Sequence, residues 1–303
     1  MPAAHEKEDP RGMLLAFMAY VIWGAFPLFF HFLREASAGE IVVHRAVWSL
    51  PAVAALLWLS GRGGALKAAL APLREWRQAR VLLASAALLM INWGFFVWGV
   101  VNGYTLQSAL GYYINPLVNV LLGFVLLGER FSRPQTLALL LATAAVLWLT
   151  LGAGEFPWLS LVLAFSFAAY GYLRKTMRAD ALQGLFVETL LLLPPVLLAL
   201  WLLARGGAAL SFGSSGWLTF LLIASGPLTT AALVLFAAGA RRIRLSTLGL
   251  MQYITPTMHF LTAVFIFGEP FDHNRLLAFA LIWTALFIYA ADGWRRERST
   301  SMV

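Results

Sequence analysis

With 303 residues, 61% of them hydrophobic and only 12% charged, the chain carries about half the charge of an ordinary globular domain and cannot cover a water-facing surface with it. That excludes a soluble enzyme, a nucleic-acid-binding domain and a disordered protein. The net charge of +8 sits mostly in short connections between apolar runs, and the absence of Cys removes disulfides, thiolate metal sites and a Cys nucleophile.

A charged tail, residues 1–12, carries Lys7 and Arg11. Ten apolar runs follow, at about 13–33, 41–60, 80–101, 104–127, 134–152, 157–173, 183–204, 217–240, 246–267 and 276–293. Each approaches the roughly 20 residues that a helix needs to cross hydrocarbon. A charged head precedes the first run and nine more follow it, so it reads as a span and not as a cleaved signal peptide. The connection 61–79 sets Arg62, Lys67, Arg74 and Arg77 among alanines and leucines, and it predicts an amphipathic helix on the membrane surface. The chain ends in a basic tail, 294–303.

The connections on one side of the membrane, with both tails, hold 18 Lys and Arg residues. The other side holds three, Arg34, Arg205 and Arg275, and Arg45 falls inside a span. The positive-inside rule then puts both termini in the cytoplasm of a bacterial inner (plasma) membrane.

The halves repeat. Asn115-Pro116 matches Thr255-Pro256, and Gly128-Glu129-Arg130-Phe131 matches Gly268-Glu269-Pro270-Phe271, both 140 residues apart. At a slightly different offset Pro51 matches Pro195, and His44 matches Glu188. Each copy has five spans. Five is odd, so the second copy enters the membrane from the opposite side. The expected fold is all-α: ten transmembrane helices in two inverted five-helix repeats, 13–152 and 157–293. Inverted repeats are a recurrent way to build a secondary transporter.

Ionisable groups inside spans are functional candidates by default. His44 and Arg45 lie about five residues from the outer end of their span, only about 7 Å deep. Glu188 lies equally near the opposite face. The three read as an outer gate (His44, Arg45) and an inner gate (Glu188), with Glu35 or Glu40 as partner for Arg45, and Arg174 or Lys175 for Glu188. Snorkelling that only fixes helix ends is the competing reading.

Nearer the midplane stand Asn92, Asn115 and Thr255. Pro116 and Pro256 predict broken or kinked helices there, hinges whose free N–H ends favour a carboxylate or another electron-rich group. The candidate substrate site is Asn92, Trp93, Tyr112, Asn115, Gln252, Tyr253 and Thr255 between the repeats. Tyr113 is a further stacking candidate, and Gln107 either bonds cargo or bridges helices. His259 is either a proton relay or a packed hydrogen-bonding residue, so a coupling proton stays open.

The stretches HRAVWSL (44–50), LQSALGYYINPLVNVLLGFVLLGERFS (106–132), LAFSFAAYGYLRK (163–175) and ETLLLLP (188–194) together resemble the RarD branch of the drug/metabolite transporter superfamily, whose repeats are EamA domains. The resemblance covers about 12–293. It implies ten helices and export or exchange of small metabolites, and the branch is associated by name with chloramphenicol sensitivity.

A membrane-embedded enzyme and a channel-like facilitator are the rivals. The chain has five His and no HExxH motif, and no Asp lies well inside a span, so neither catalytic nor metal residues are expected. No cofactor and no nucleic-acid partner are expected. The partners are a small-molecule substrate and membrane lipid, and a monomer suffices.

Overall fold

A computed structural model describes residues 9–59, 65–127, 132–152, 155–177, 181–206, 210–240, 242–243 and 251–300. The described residues are helical with no strand. They form α1 (Pro10–Gly24), α2 (Phe26–His31), α3 (Ala38–Leu59), α4 (Ala65–Leu70), α5 (Trp76–Val101), α6 (Thr105–Leu127), α7 (Arg133–Leu147), α8 (Trp158–Thr176), α9 (Ala181–Arg205), α10 (Gly216–Ala240), α11 (Ile254–Leu261) and α12 (His273–Thr300). Wider π-helical turns extend α7 over Trp148–Gly152 and α11 over Thr262–Ile266.

Local chemistry sets several ends. Asp9 caps α1 by accepting the Arg11 N–H, with Pro10 at the first position, where its missing donor costs nothing. Ser132 and Gln135 form a reciprocal capping box at α7. The first apolar run is interrupted at Ala25, just ahead of Pro27 in the first turn of α2. Part of the predicted surface helix is α4 and the 3-10 turn Ala71–Arg74; residues 60–64 of that connection lie outside the described residues. So do 244–250, the start of the predicted ninth span, and the 128–131 repeat motif.

Seven of the described helices are long and apolar enough to cross a membrane, and Trp158–Arg174 and Ile254–Ile266 are shorter apolar helices. The exterior agrees. Leu151, Phe265 and Phe287 are each at least 75% exposed, which suits contact with acyl chains and not with water. The chain is therefore an all-α, multi-pass membrane protein.

Packing runs across the sequence halves. Helix α1 lies on α10, α10 on α3, and α3 on α9; α6 lies on α8, α8 on α5, and α5 on α9. Helix α7 pairs with α12, and α11 packs between α6 and α1. Without a hydrophobic drive between helices in lipid, close approach at small residues holds such contacts together. Gly226 of α10 is the tightest case: a Cβ there would overlap the Trp48–Ser49 backbone of α3. Backbone cannot swing aside as a side chain can. Gly226→Ala is expected to cost roughly 1–3 kcal/mol, read as a lowered unfolding temperature in detergent. Gly94→Ala, a helical position with nothing within 4 Å, is the control and should be neutral or slightly stabilising.

Candidate functional site

Three polar groupings lie inside the helical bundle. The first surrounds Arg45, which α3 carries two turns from its start and which is 3% exposed. Its Nε donates to Thr229 Oγ1 of α10 (2.9 Å), and Thr229 in turn donates to the Ser225 carbonyl (2.8 Å). The guanidinium carbon sits 4.3 Å from the Trp93 ring centre, 4.9 Å from Phe26 and 5.6 Å from Phe30. Its Nη1 is buried with no acceptor among the described residues.

The expected pairing of Arg45 with Glu35 or Glu40 is not what forms. Both Glu40 oxygens accept backbone N–H groups, from Ser211 (3.0 Å) and Phe212 (2.8 Å). Glu35 contributes its backbone carbonyl, which accepts the Ser211 hydroxyl (3.3 Å). The physical reason is helical phase: positions three or four apart share a face, and Glu40 and Arg45 are five apart. His44 points away from Arg45; it accepts the Trp48 Nε1–H at Nδ1 (3.2 Å) and stacks on Phe212, ring centres 4.5 Å apart.

The second grouping is centred on Glu188 of α9, which is fully buried. Ser85 of α5 donates to its Oε1, Tyr170 of α8 donates to Oε2 (3.3 Å), and Arg174 Nη1 of α8 lies 3.4 Å from Oε1. Arg174 is thus the partner the sequence offered; the Lys175 side chain is outside the described ones.

The third ties α5 and α6 to α8. Asn92 donates to the Leu163 carbonyl (3.2 Å) and to Ser166 Oγ (3.1 Å), and accepts the Tyr112 hydroxyl (3.2 Å). Asn115 donates to the Ala164 carbonyl (3.0 Å) and accepts Asn119 Nδ2 (3.2 Å). The amide nitrogen and oxygen of both asparagines each have a protein partner. The structure thus brings Asn92, Trp93 and Tyr112 near one junction, with Asn115 on the next turn of that seam.

Thr255, Gln252 and Tyr253 lie elsewhere. Thr255 donates to the Tyr20 carbonyl of α1 (2.9 Å), and the Gln252 carbonyl accepts the Thr255 N–H in the turn leading into α11. Tyr253 lines a cavity of ≈ 400 Å³ with Tyr113, Thr257, Trp283 and Phe287; since Phe287 is 76% exposed, this cavity opens on the apolar exterior. A second cavity, ≈ 280 Å³, lies among Tyr104, Gln107, Glu155, Glu269 and Arg275. His259 of α11 faces the Trp23 carbonyl through Nε2 (3.0 Å), which makes Nε2 the donor and leaves Nδ1 the lone pair of the neutral ring. That Nδ1 has no partner among the described residues, and the ring stacks on Phe96 at 5.2 Å.

The prolines need a correction. Helix α6 runs unbroken through Pro116, so no free N–H end forms at that point. One missing backbone bond inside a well-packed helix is absorbed by its neighbours. Pro256 is the third residue of α11, at a helix start where its lost donor is least missed.

The EamA-like transporter family matches residues 10–151. An uncharacterized transporter of Pseudomonas aeruginosa is 45% identical over 295 residues, covering 95% of this chain and 96% of its own. Protein RarD of Escherichia coli is 41% identical over 295 residues, covering 97% and 99%. The chain belongs to the RarD branch of the drug/metabolite transporter superfamily. One solved crystal structure shares the fold, with TM-score 0.58 at 20% identity over 91% of this chain and 96% of that one.

For a RarD-branch chain, two features escaped sequence reasoning. Glu269 accepts the N–H groups of Thr105 (2.7 Å) and Leu106 (2.8 Å), capping α6 from the other half of the chain. Gly268, at φ +65°, makes the turn that turns Glu269 there. Its motif, Gly-Glu-Pro-Phe, was visible as part of a repeat, but a repeat does not say which distant helix a carboxylate reaches. Ser85 carried no signal at all; it sits in an alanine- and leucine-rich run like any packing residue.

Proposed function

We propose that the chain is a secondary transporter that exchanges or exports small amphipathic metabolites, amino-acid-like or drug-like, by alternating access. Two inverted five-helix repeats, 13–152 and 157–293, rock about the cargo in a bacterial inner membrane, with both termini cytoplasmic.

The observation that carries this reading is the symmetry of the packing. Exchange α1 with α8, α3 with α9, α5 with α10, α6 with α11 and α7 with α12. The pair α1–α10 becomes α8–α5, α3–α10 becomes α9–α5, and α6–α8 becomes α11–α1, and all of these contacts exist. The pairs α3–α9, α6–α11 and α7–α12 map onto themselves and exist too. A set of principal contacts that maps onto itself when the halves are swapped supports two conformations of similar energy that open to opposite sides. The polar groups follow the same exchange. Glu188 on α9 meets α5 and α8; Arg45 on α3 meets α10 and α2, which continues the apolar run begun by α1.

His44 and Arg45 then work at the outer gate and Glu188 at the inner one. Trp93 and Tyr112 face the cargo. Asn92 and Asn115 lock α5 and α6 to α8, and engage cargo only when that seam parts. Gln252, Tyr253 and Thr255 join the pathway as α11 shifts, with Pro256 at its hinge and Pro116 a local kink in α6. Counterflow in proteoliposomes against amino acids, nucleobases and chloramphenicol tests the function. Exchange of at least one class, absent from empty vesicles, is expected. No exchange by folded protein across the panel would overturn the reading.

A further inference from the structure

Arg45 has a cost that its surroundings do not offset. An ionised group taken out of water and left without a counter-ion is strongly destabilised. No carboxylate among the described residues lies within ion-pair distance of Arg45, and the nearest acid along α3, Glu40, spends both oxygens on Ser211 and Phe212. Three aromatic faces and one hydroxyl bond remain. Cation–π contacts are weak beside the loss of hydration, so they soften the cost without supplying the missing charge. Of the five N–H donors of the guanidinium fork, Nε is used, and Nη1 is buried without an acceptor.

We propose that Arg45 is the anion receptor of the transport pathway, and that the cargo carries a carboxylate on an apolar body. The inference rests on the transport reading above and narrows it. Three features argue for it beyond the bare charge. The receptor sits where the halves meet: α2, α3 and α5 belong to one repeat and α10, through Thr229, to the other. An anion there touches both halves and is released when they part. The Thr229 bond fixes the planar fork, which matches a carboxylate's two oxygens better than a single ammonium would. Aromatic rings continue from the site, Phe30 to Phe96 at 6.0 Å and Phe96 to Tyr112 at 5.6 Å, and offer an apolar surface for the rest of the molecule.

The test uses reconstituted full-length protein with an equimolar mixture on both sides of the vesicle: amino acids, aliphatic and aromatic carboxylic acids, their methyl esters, nucleobases, amines and sugar phosphates. The outer copy carries 13C, and mass spectrometry reads its entry. Entry is expected for carboxylates with apolar bodies and at least tenfold lower for the matching esters. Arg45→Gln should lower acid entry at least tenfold, and Arg45→Lys should retain part of it. If Arg45→Gln fails to insert, the acid-against-ester comparison on the unaltered protein still decides. Esters, amines, nucleobases or sugar phosphates entering as well as the acids would overturn the receptor role and leave transport standing. Entry of no compound above empty vesicles would overturn the transport reading, and the receptor with it.

Discussion

Glu188→Ala is expected to abolish exchange and to lower the stability of the folded protein by about 3–5 kcal/mol, the usual result of removing one partner from a buried charged pair. Ser85, Tyr170 and Arg174 all converge on this carboxylate from α5 and α8. Removing it takes one acceptor from a partly buried guanidinium and the shared acceptor from two hydroxyls. Glu188→Gln separates shape from charge. The amide oxygen can still accept from one of the two hydroxyls and the amide N–H can donate to the other, so stability should fall less, while the attraction to Arg174 is lost. A gate that opens by separating charge should then open more readily at the cytoplasmic end, and exchange rates should change at least severalfold. Unfolding temperature in detergent and counterflow in vesicles give the two readouts. Wild-type exchange by Glu188→Gln would remove Glu188 from the gating scheme and leave it a packing residue.

The second large effect is expected where the two halves of the chain are clasped, at the end that the transport reading places outside. Glu40, from the first repeat, holds the backbone ahead of α10; Glu269, from the second, holds the start of α6. Hydrogen bonds to an ionised group are worth about 1.5–3 kcal/mol each, with Glu269 at the lower end because it is only half-buried. The two clasps are reciprocal, and both favour outer closure. The double variant Glu40→Gln with Glu269→Gln should therefore shift the population toward outward opening. The chain has no Cys, so a single introduced thiol reports without background. Gln107→Cys, beside Glu269 in the ≈ 280 Å³ cavity, should react with a membrane-impermeant maleimide several times faster in the double variant. An unchanged rate would reduce the clasps to ordinary helix caps. By contrast, Arg275 and Glu155, 3.0 Å apart but exposed to solvent on the carboxylate side, should matter little when either is neutralised.

The sequence was most legible where one physical signal dominates. Hydrocarbon demands long apolar helices, so the runs were readable; the described helices overlap them, several overrun their ends, as the last one does to Thr300, and seven are long and apolar enough to cross. Tertiary contacts were less legible. Arg45 could be flagged as an intramembrane charge, but its neighbours Trp93, Phe26, Phe30 and Thr229 come from three other helices, and no spacing along the chain gathers them. The assumption that an acid close in sequence would pair with it failed on helical phase. Asn92 and Asn115, singled out as polar groups at depth, are buried in the bundle. Their partners are backbone carbonyls of Leu163 and Ala164, and backbone acceptors leave no trace in residue identity. Pro116 misled because proline's local rule weighs a single lost bond, while the surrounding bundle sets whether the helix stays whole.

Pulsed electron spin-resonance distances in vesicles bear most directly on whether the halves exchange conformations. One label pair spans the outer ends at Phe32 and Trp217; another spans the inner ends at Trp76 and Met177. Rocking inverted repeats predict two populations for each pair, with cargo shifting both, and with the outer distance growing as the inner one shrinks. A single fixed distance at both ends, or two distances that grow together, would contradict it.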